Sequence, residues 1–310
     1  MTEPTKKPYK KFMLWAGGIT GILLLTLVVY ALFFVNELTE TAKEIHEPME
    51  RTISEKREDP ITFIDKDPFS VLVLGVDERE GDVGRSDTMI VLAVNHTLQT
   101  TKMLSIPRDT RSEIVGKDRV DKLNHAYAFG GIDMSLASVE HFLDIPIDYV
   151  VQVNMESFKE IIDVLGGVTV YNPFDFNVDD YSFATGDISL TGDEALTFVR
   201  MRKEDPRGDF GRQDRQKQVV QGILQKGASI QGLVKFKRIF STLGKNIRTN
   251  MTVDEMIDVQ KNYRDAIKSI EQIPINAGHG LWKDGVWYFE MDTEELQAIQ
   301  KELQTHLKTE

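Results

Sequence analysis

"FSVLVLGVD", residues 69–77, is a continuous apolar run closed by a glycine and an aspartate. Apolar residues follow one another without helical spacing, which is the pattern of a strand covered on both faces. "TMIVLAVN" (88–95) and "TKMLSIP" (101–107) repeat it, and the polar loop "EREGDVGRSD" (78–87) joins the first two. Three such strands in succession predict a central sheet.

Working outward toward the C-terminus, "MSLASVEHFLDI" (134–145) has helical apolar spacing and "DYVVQVN" (148–154) is strand-like. "MESFKEIIDVLGG" follows as a helix stopped at Gly166 and Gly167, and "VTVYN" (168–172) as another strand. This alternation predicts an α/β chain with a three-layer α/β/α domain around a central mixed sheet. Ligands of such sheets sit in the loops beyond strand ends. "SLTGDEALTFVRMR" carries a capping box at Thr191 and Glu194, so a helix should run from about Gly192 to near Arg200. A second helix should begin near Gly211, with Arg212, Gln216, Val219, Val220, Ile223 and Leu224 on one stripe. Beyond residue 226 the pattern gives helices, a hairpin turning at Asp284-Gly285 and a terminal helix.

Toward the N-terminus, "LWAGGITGILLLTLVVYALFFV" (14–35) contains no charged residue and would give roughly 33 Å of helix, enough to span a bilayer core. Lys6, Lys7, Lys10 and Lys11 precede it and Glu37, Glu40, Glu44, Glu47 and Glu50 follow, which places the bulk of the protein outside the cytoplasm. A cleaved signal peptide would have a shorter apolar region and a small-residue cleavage site, and neither is present. The expected organisation is a cytoplasmic tail (1–13), a single transmembrane helix (14–35), a stalk and linker (36–66) and one domain (67–310) with its motif core at 68–225.

The formal net charge is −12, which argues against a nucleic-acid partner. There is no cysteine, so disulfides, thiolate catalysis and cysteine metal sites are excluded. The histidines show no i, i+4 pairing, and neither a G-x-S-x-G elbow nor a G-x-x-x-x-G-K-[ST] loop occurs.

Within this acidic chain, "RMRKEDPRGDFGRQDRQK" (200–217) gathers Arg200, Arg202, Lys203, Arg207, Arg212, Arg215 and Lys217. An arginine that continues an apolar stripe faces an interior or a cleft and needs an anionic partner. Arg215 lies between the two helix faces, and Lys203 and Arg207 read as solvated.

The strand ends supply the acidic counterpart. Asp77 and Asp87 flank the first loop, with Asp82 a third candidate, and paired carboxylates at a sheet edge suit Mg²⁺. Arg85 stands beside Asp87, "PRDT" brings Arg108 and Asp109 to another strand end, and "KLNHAYAFGG" offers Lys122, Asn124 and His125. Taken singly, the aspartates read as turn and cap residues, Arg108 as an ion-pair partner and His125 as a packed or capping residue. Together, guanidinium groups that grip phosphate oxygens and carboxylates that hold Mg²⁺ make a phosphoryl-transfer site. A diphosphate-binding site on an exported, tethered domain results.

Four blocks in order, "VLGVDEREGDVGRSDTMI", "SIPRDT", "KLNHAYAFGG" and "VRMRKEDPRGDFGRQDRQKQVV", behind one N-terminal span, resemble the LytR-CpsA-Psr family. The resemblance implies a Mg²⁺-dependent phosphotransferase of the bacterial cell membrane, in a Gram-positive cell, with its catalytic domain outside. It implies that an anionic glycopolymer such as wall teichoic acid moves from an undecaprenyl-diphosphate carrier to peptidoglycan, at the C6 hydroxyl of N-acetylmuramic acid. Undecaprenyl phosphate would leave.

By matching motif, Asp77 and Asp87 would hold Mg²⁺, while Arg85, Arg108, Arg200, Arg202 and Arg212 would grip the diphosphate. Gln216 would hydrogen-bond nearby, Lys122 and Asn124 would stand at the rim, and Asp109 would accept the acceptor's proton. The "VVQGIL" stripe would line a space for the polyprenyl tail. Two other readings remain open at this point, a polyprenyl-diphosphate phosphatase and a lipid-binding regulator without turnover.

Overall fold

The structure, a computed structural model, describes residues 54–77, 84–229 and 247–308. The expected tail, the span at 14–35, most of the stalk and Asp82 lie outside the described residues. Among the described residues no helix is long and apolar enough to cross a membrane.

β1 (Phe69–Val76), β2 (Ser86–Asn95) and β3 (Thr100–Ile106) form an antiparallel meander, as the three apolar runs predict. A small hairpin, β4 (Arg111–Ile114) and β5 (Arg119–Lys122), leads into α1 (His125–Leu143). That helix starts nine residues before the expected 134 because "HAYAF" is already helical, and Gly130 and Gly131 break it with non-helical dihedrals (φ −158° and +62°). β6 (Tyr149–Asn154) lies parallel to β1 and is followed by α2 (Met155–Val164).

The next strand departs from the expected sheet. Among the described residues β7 (Val168–Asn172) pairs only with β10 (Gly186–Leu190), on either side of the short hairpin of β8 (Phe176–Val178) and β9 (Tyr181–Phe183). The reason is visible in its side chains: Val168 and Val170 are buried and Thr169 and Tyr171 exposed, so it has one covered face, whereas a central strand has two. With α3 (Gly192–Arg200), where Glu194 accepts from the Thr191 N–H at 2.8 Å, these strands build a satellite core around Phe176, Phe183 and Phe198.

α4 (Asp209–Ser229), β11 (Ile247–Thr249), α5 (Val253–Asn262) and α6 (Arg264–Lys268) follow, then β12 (Ile270–Ile273), parallel to β3. The hairpin of β13 (Gly278–Lys283) and β14 (Val286–Met291) turns at Asp284 and Gly285, both at positive φ, and α7 (Thr293–Leu307) ends the chain. The central mixed sheet therefore has the order β11-β6-β1-β2-β3-β12.

Strand alternation sorts the two helical layers. Leu72, Leu74 and Val76 with Met89 and Val91 pack under α1 and α7, while Val71, Ile90, Leu92 and Val94 face α4, α5 and α6. The end of the expected stalk belongs to the second layer. Phe63 is buried against Phe69, Tyr149 and Tyr263, and Arg57 grips Asp148 through Nε (2.9 Å) and Nη2 (2.7 Å), so residues 54–66 are part of the domain.

Candidate active site

Under α3, α4 and α5 the second layer is hollow. A cavity of about 480 Å³ runs along one face of the sheet, bounded by Val71, Val73, Leu92 and Val94 and by Val220, Ile223 and Leu224 of α4. Its apolar length ends in a charged mouth at the C-terminal edge of β1, where Asp77, Asp87, Arg108, Arg200, Arg202, Arg212 and Gln216 all line the wall.

Each of these side chains arrives by a local rule. On β1 the odd positions Phe69, Val71, Val73 and Gly75 face the cavity, so Asp77 falls on the same side one step beyond the strand. β2 needs a correction of phase, because its cavity positions are even and Asp87 is odd. The ladder supplies it: Gly75 pairs with Thr88 and Val76 with Ser86, leaving Asp87 as the extra residue of a β-bulge. The bulge turns Asp87 from the packed face into the mouth. Gly75 also has to be glycine there, since a Cβ would sit 2.9 Å from the Thr88 Cβ.

Arg108, just past β3, donates from Nη1 to Asp87 Oδ1 at 2.8 Å and approaches Asp109 with Nε at 3.6 Å. Arg200 ends α3, and Arg202 follows it on the loop to α4. On α4, Arg212 and Gln216 continue the apolar row of Val220, Ile223 and Leu224, with Arg212 only 7% exposed. The stripe expected from the sequence is the cavity wall, apart from Val219, which turns into the satellite core.

Four of the expected residues do not line the cavity. Arg85 is exposed at the edge of the described chain. Asp109 accepts from Lys122 Nζ at 2.6 Å, so those two engage each other behind Arg108. Asn124 is buried at the start of α1, its N–H bonded to the Arg108 carbonyl at 3.2 Å. These three brace the segment that carries Arg108.

The largest departure concerns Arg215. Its side chain is buried, with Nε donating to the Phe198 carbonyl (3.1 Å), Nη1 to Asp205 Oδ2 (2.5 Å) and Nη2 to the Met201 carbonyl (2.5 Å), over the rings of Phe176 and Phe198. Asp205 also accepts from the Arg207 N–H at 2.8 Å. Burial pushes its carboxyl up, but the hydrogen bonds from Arg215 and Arg207 outweigh this and hold it below the ordinary value. A Cβ on Gly211 would lie 1.8 Å from Asp205 Oδ2, so a side chain at 211 would expel that carboxylate. Asp205, Gly211 and Arg215 therefore fold the loop that presents Arg202. The signal for this was an aspartate embedded in a cationic run.

Asp77 and Asp87 give the mouth two hard oxygen donors facing a cationic wall, a donor set that fits Mg²⁺ shared with phosphate oxygens. Among the described residues no cluster of three or more acidic, histidine or cysteine side chains forms a self-sufficient metal cage.

The fold that carries this site has counterparts among known proteins. The model of the LytR_cpsA_psr family matches residues 32–305. The chain belongs to the LytR-CpsA-Psr family. Within it, the Bacillus subtilis (strain 168) protein named polyisoprenyl-teichoic acid–peptidoglycan teichoic acid transferase TagU is 48% identical over 308 residues, covering 99% of this chain and 100% of the relative. The crystal structure of B. subtilis TagU superposes with a TM-score of 0.64 at 50% identity, over 78% of this chain and 97% of that one. TagT bound to LIIa-WTA superposes with a TM-score of 0.73 at 34% identity, over 85% and 100%. The LytR-CpsA-Psr fold thus extends over nearly the whole described chain.

Proposed function

We propose that this protein is a phosphotransferase that attaches a polyprenyl-diphosphate-linked teichoic acid to peptidoglycan, working from a single N-terminal membrane anchor at residues 14–35. One observation carries the proposal: a single cavity joins an arginine-rich mouth to a long apolar tunnel, the shape of a lipid diphosphate. The naming of the B. subtilis relatives supports the acceptor and the polymer.

The polyprenyl chain, undecaprenyl by family resemblance, lies against Val71, Val73, Leu92 and the α4 row, and its burial anchors the substrate. Arg108, Arg200, Arg202 and Arg212 hold the diphosphate oxygens and stabilise charge as it develops. Asp77 and Asp87 would hold Mg²⁺, which when bound neutralises the departing phosphate.

The acceptor hydroxyl, the C6 hydroxyl of a muramic acid residue, attacks the phosphorus bearing the polymer. The bond from that phosphorus to the bridging oxygen breaks, lipid phosphate leaves, and the hydroxyl proton ends on it. Because the transition state is loose, positioning counts for more than base strength. Asp109, held by Lys122, keeps Arg108 in place.

Full-length protein in nanodiscs, given a prenyl-diphosphate-linked teichoic acid oligomer, Mg²⁺ and peptidoglycan, tests this. Covalent polymer on peptidoglycan is the expected product, lost on chelation with EDTA. Carrier cleavage without capture by peptidoglycan would make the protein a phosphatase. Tight lipid binding with no turnover would make it a sensor.

A further inference from the structure

A second, smaller cavity of about 220 Å³ lies beside the mouth, on the other side of α4. Phe210, Gln213, Asp214 and Lys217, at i, i+3, i+4 and i+7, form its helical wall, and Ser105 and Pro274 lie opposite. Arg212 and Gln216 on the same turns face the main cavity, so the start of α4 is a partition between two compartments. The small compartment is rich in hydrogen-bonding groups. Asp214 accepts from Arg207 Nη1 (2.5 Å) and Lys217 Nζ (2.7 Å), which fixes a carboxylate and an ammonium side by side in its wall.

Phe210 links this compartment to an aromatic strip. It is half exposed at 52%, and its ring meets Phe289 edge-on, 6.1 Å between centroids. Phe289 ties β14 to the segment that carries Arg108, its N–H donating to the Asp109 carbonyl at 2.9 Å. Two residues on, the same face of β14 carries Trp287, about 6.6 Å further along the strand. The Trp287 ring lies over Gly280, where a Cβ would come within 2.8 Å of its Nε1. Trp282, directly opposite Trp287 in the ladder, is 72% exposed. Phe210, Trp287 and Trp282 are thus exposed aromatics set around the buried Phe289, a strip that follows the hairpin away from Phe210.

Soluble domains keep large aromatic faces out of water unless something covers them. A bilayer would require cations around the strip, yet Asp284, Glu290 and Asp292 flank it alongside Lys283 and Arg111, leaving no cationic excess. Pyranose rings match better: their C–H faces stack on aromatic rings while their hydroxyl and amide groups seek the kind of polar wall the small compartment offers. The position fits too, because in-line attack brings the acceptor to the mouth from outside, away from the lipid leaving group.

We infer that the Phe210–Asp214–Lys217 compartment and the Trp287–Trp282 strip form the binding site for the acceptor, an amino-sugar strand with one residue in the compartment and the next along the strip. This rests on the transferase reading above and adds the residues that recognise its acceptor.

The test uses full-length protein in nanodiscs with glycan fragments of one, two and four disaccharides, measured for transfer kinetics and for direct binding by saturation-transfer NMR. Phe210→Leu keeps an apolar side chain but removes the ring face, and is expected to raise the acceptor KM about tenfold, with Phe210→Trp restoring it. Trp282→Ala should cost little with the shortest fragment and severalfold with the longest. Affinity for geranylgeranyl diphosphate should match wild type in both variants.

Unchanged acceptor KM in Phe210→Leu, or a length-independent effect of Trp282→Ala, overturns the inference. So does loss of binding to phosphatidylglycerol vesicles with acceptor kinetics intact. Should the wild type bind fragments in a Phe210-dependent way yet transfer nothing, the subsite stands and the transferase reading fails; if it neither binds nor transfers, both fail.

Discussion

The two faces of the central sheet draw on the same residue types and reach opposite ends. On one face Leu72, Leu74, Val76, Met89 and Val91 meet α1 and α7 in a filled core, with every one of these side chains at most 1% exposed. On the other, Val71, Val73 and Leu92 border a cavity of about 480 Å³ because the helices above them stand off the sheet. Neighbouring positions on one strand thus serve different purposes. The filled face holds the fold, and the unfilled one leaves room for a lipid.

The sharpest way to break this contrast is at the mouth of the hollow face. Arg108→Ala should lower transfer on the order of 10³-fold, as expected for removing a preorganised cation from a transition state. Its thermal midpoint should stay within a few degrees of wild type, since Arg108 is at the cavity surface. A large drop in stability instead would mean that the mouth is part of the core.

Asp205→Ala probes the clamp that separates structural from functional arginines. Removing one partner of a buried pair leaves Arg215 uncompensated and should cost about 3–5 kcal/mol in denaturant unfolding. Transfer by the protein that remains folded should also fall, because Arg202 loses its supporting loop.

The comparison itself is measured by a pair of truncations on one strand. Leu74→Ala on the filled face should cost about 3 kcal/mol, within the usual range for a buried leucine, whereas Val73→Ala over the cavity should cost about 1 kcal/mol. Equal costs would show that the cavity collapses in solution. Val73→Phe should leave stability nearly unchanged while weakening prenyl diphosphate binding, by filling the tunnel.

Acid supplies the smallest effect. The Asp205 carboxyl is held below its ordinary value, so its contribution is complete above about pH 4, the unfolded value, and fades as pH falls toward the folded one. His306, buried and bonded through Nε2 to the Thr100 carbonyl at 3.2 Å, is also lowered, chiefly by burial. The unfolded chain takes up that proton first, so stability should begin to decline below about pH 6.5. Asp205→Asn should flatten the lower part of the urea-midpoint curve and leave the upper part in place.

Much of the site was legible in the sequence because it depends on periodicity. The row from Arg212 through Gln216 to Leu224 is helical spacing, and the placement of Asp77 is strand alternation carried one residue further. The same counting failed wherever a contact distant in sequence decided the outcome. Arg215 differs from Arg212 by three positions on one helix, yet Asp205 and two backbone carbonyls claim it. β7 carried its own warning in the alternation of Val168 and Val170 with Thr169 and Tyr171. Trp282 and Trp287 face each other through the hairpin that Asp284-Gly285 predicts, but no local pattern brings Phe210 beside β14.

By itself the sequence determined the strands at 69–76, 88–95, 101–106, 149–154 and 168–172, the hairpin at Asp284-Gly285, the helix at Gly192–Arg200 with its capping box at Thr191, and the set of cations available to meet a phosphate. These follow from local sterics and from which residues can share a face. Tertiary structure alone decided that α3, α4 and α5 stand away from the sheet, that a bulge turns Asp87 into the resulting space, and that one arginine of the block is sealed in the core. Packing settles such matters because each depends on the volume and charge that distant segments bring to the same place.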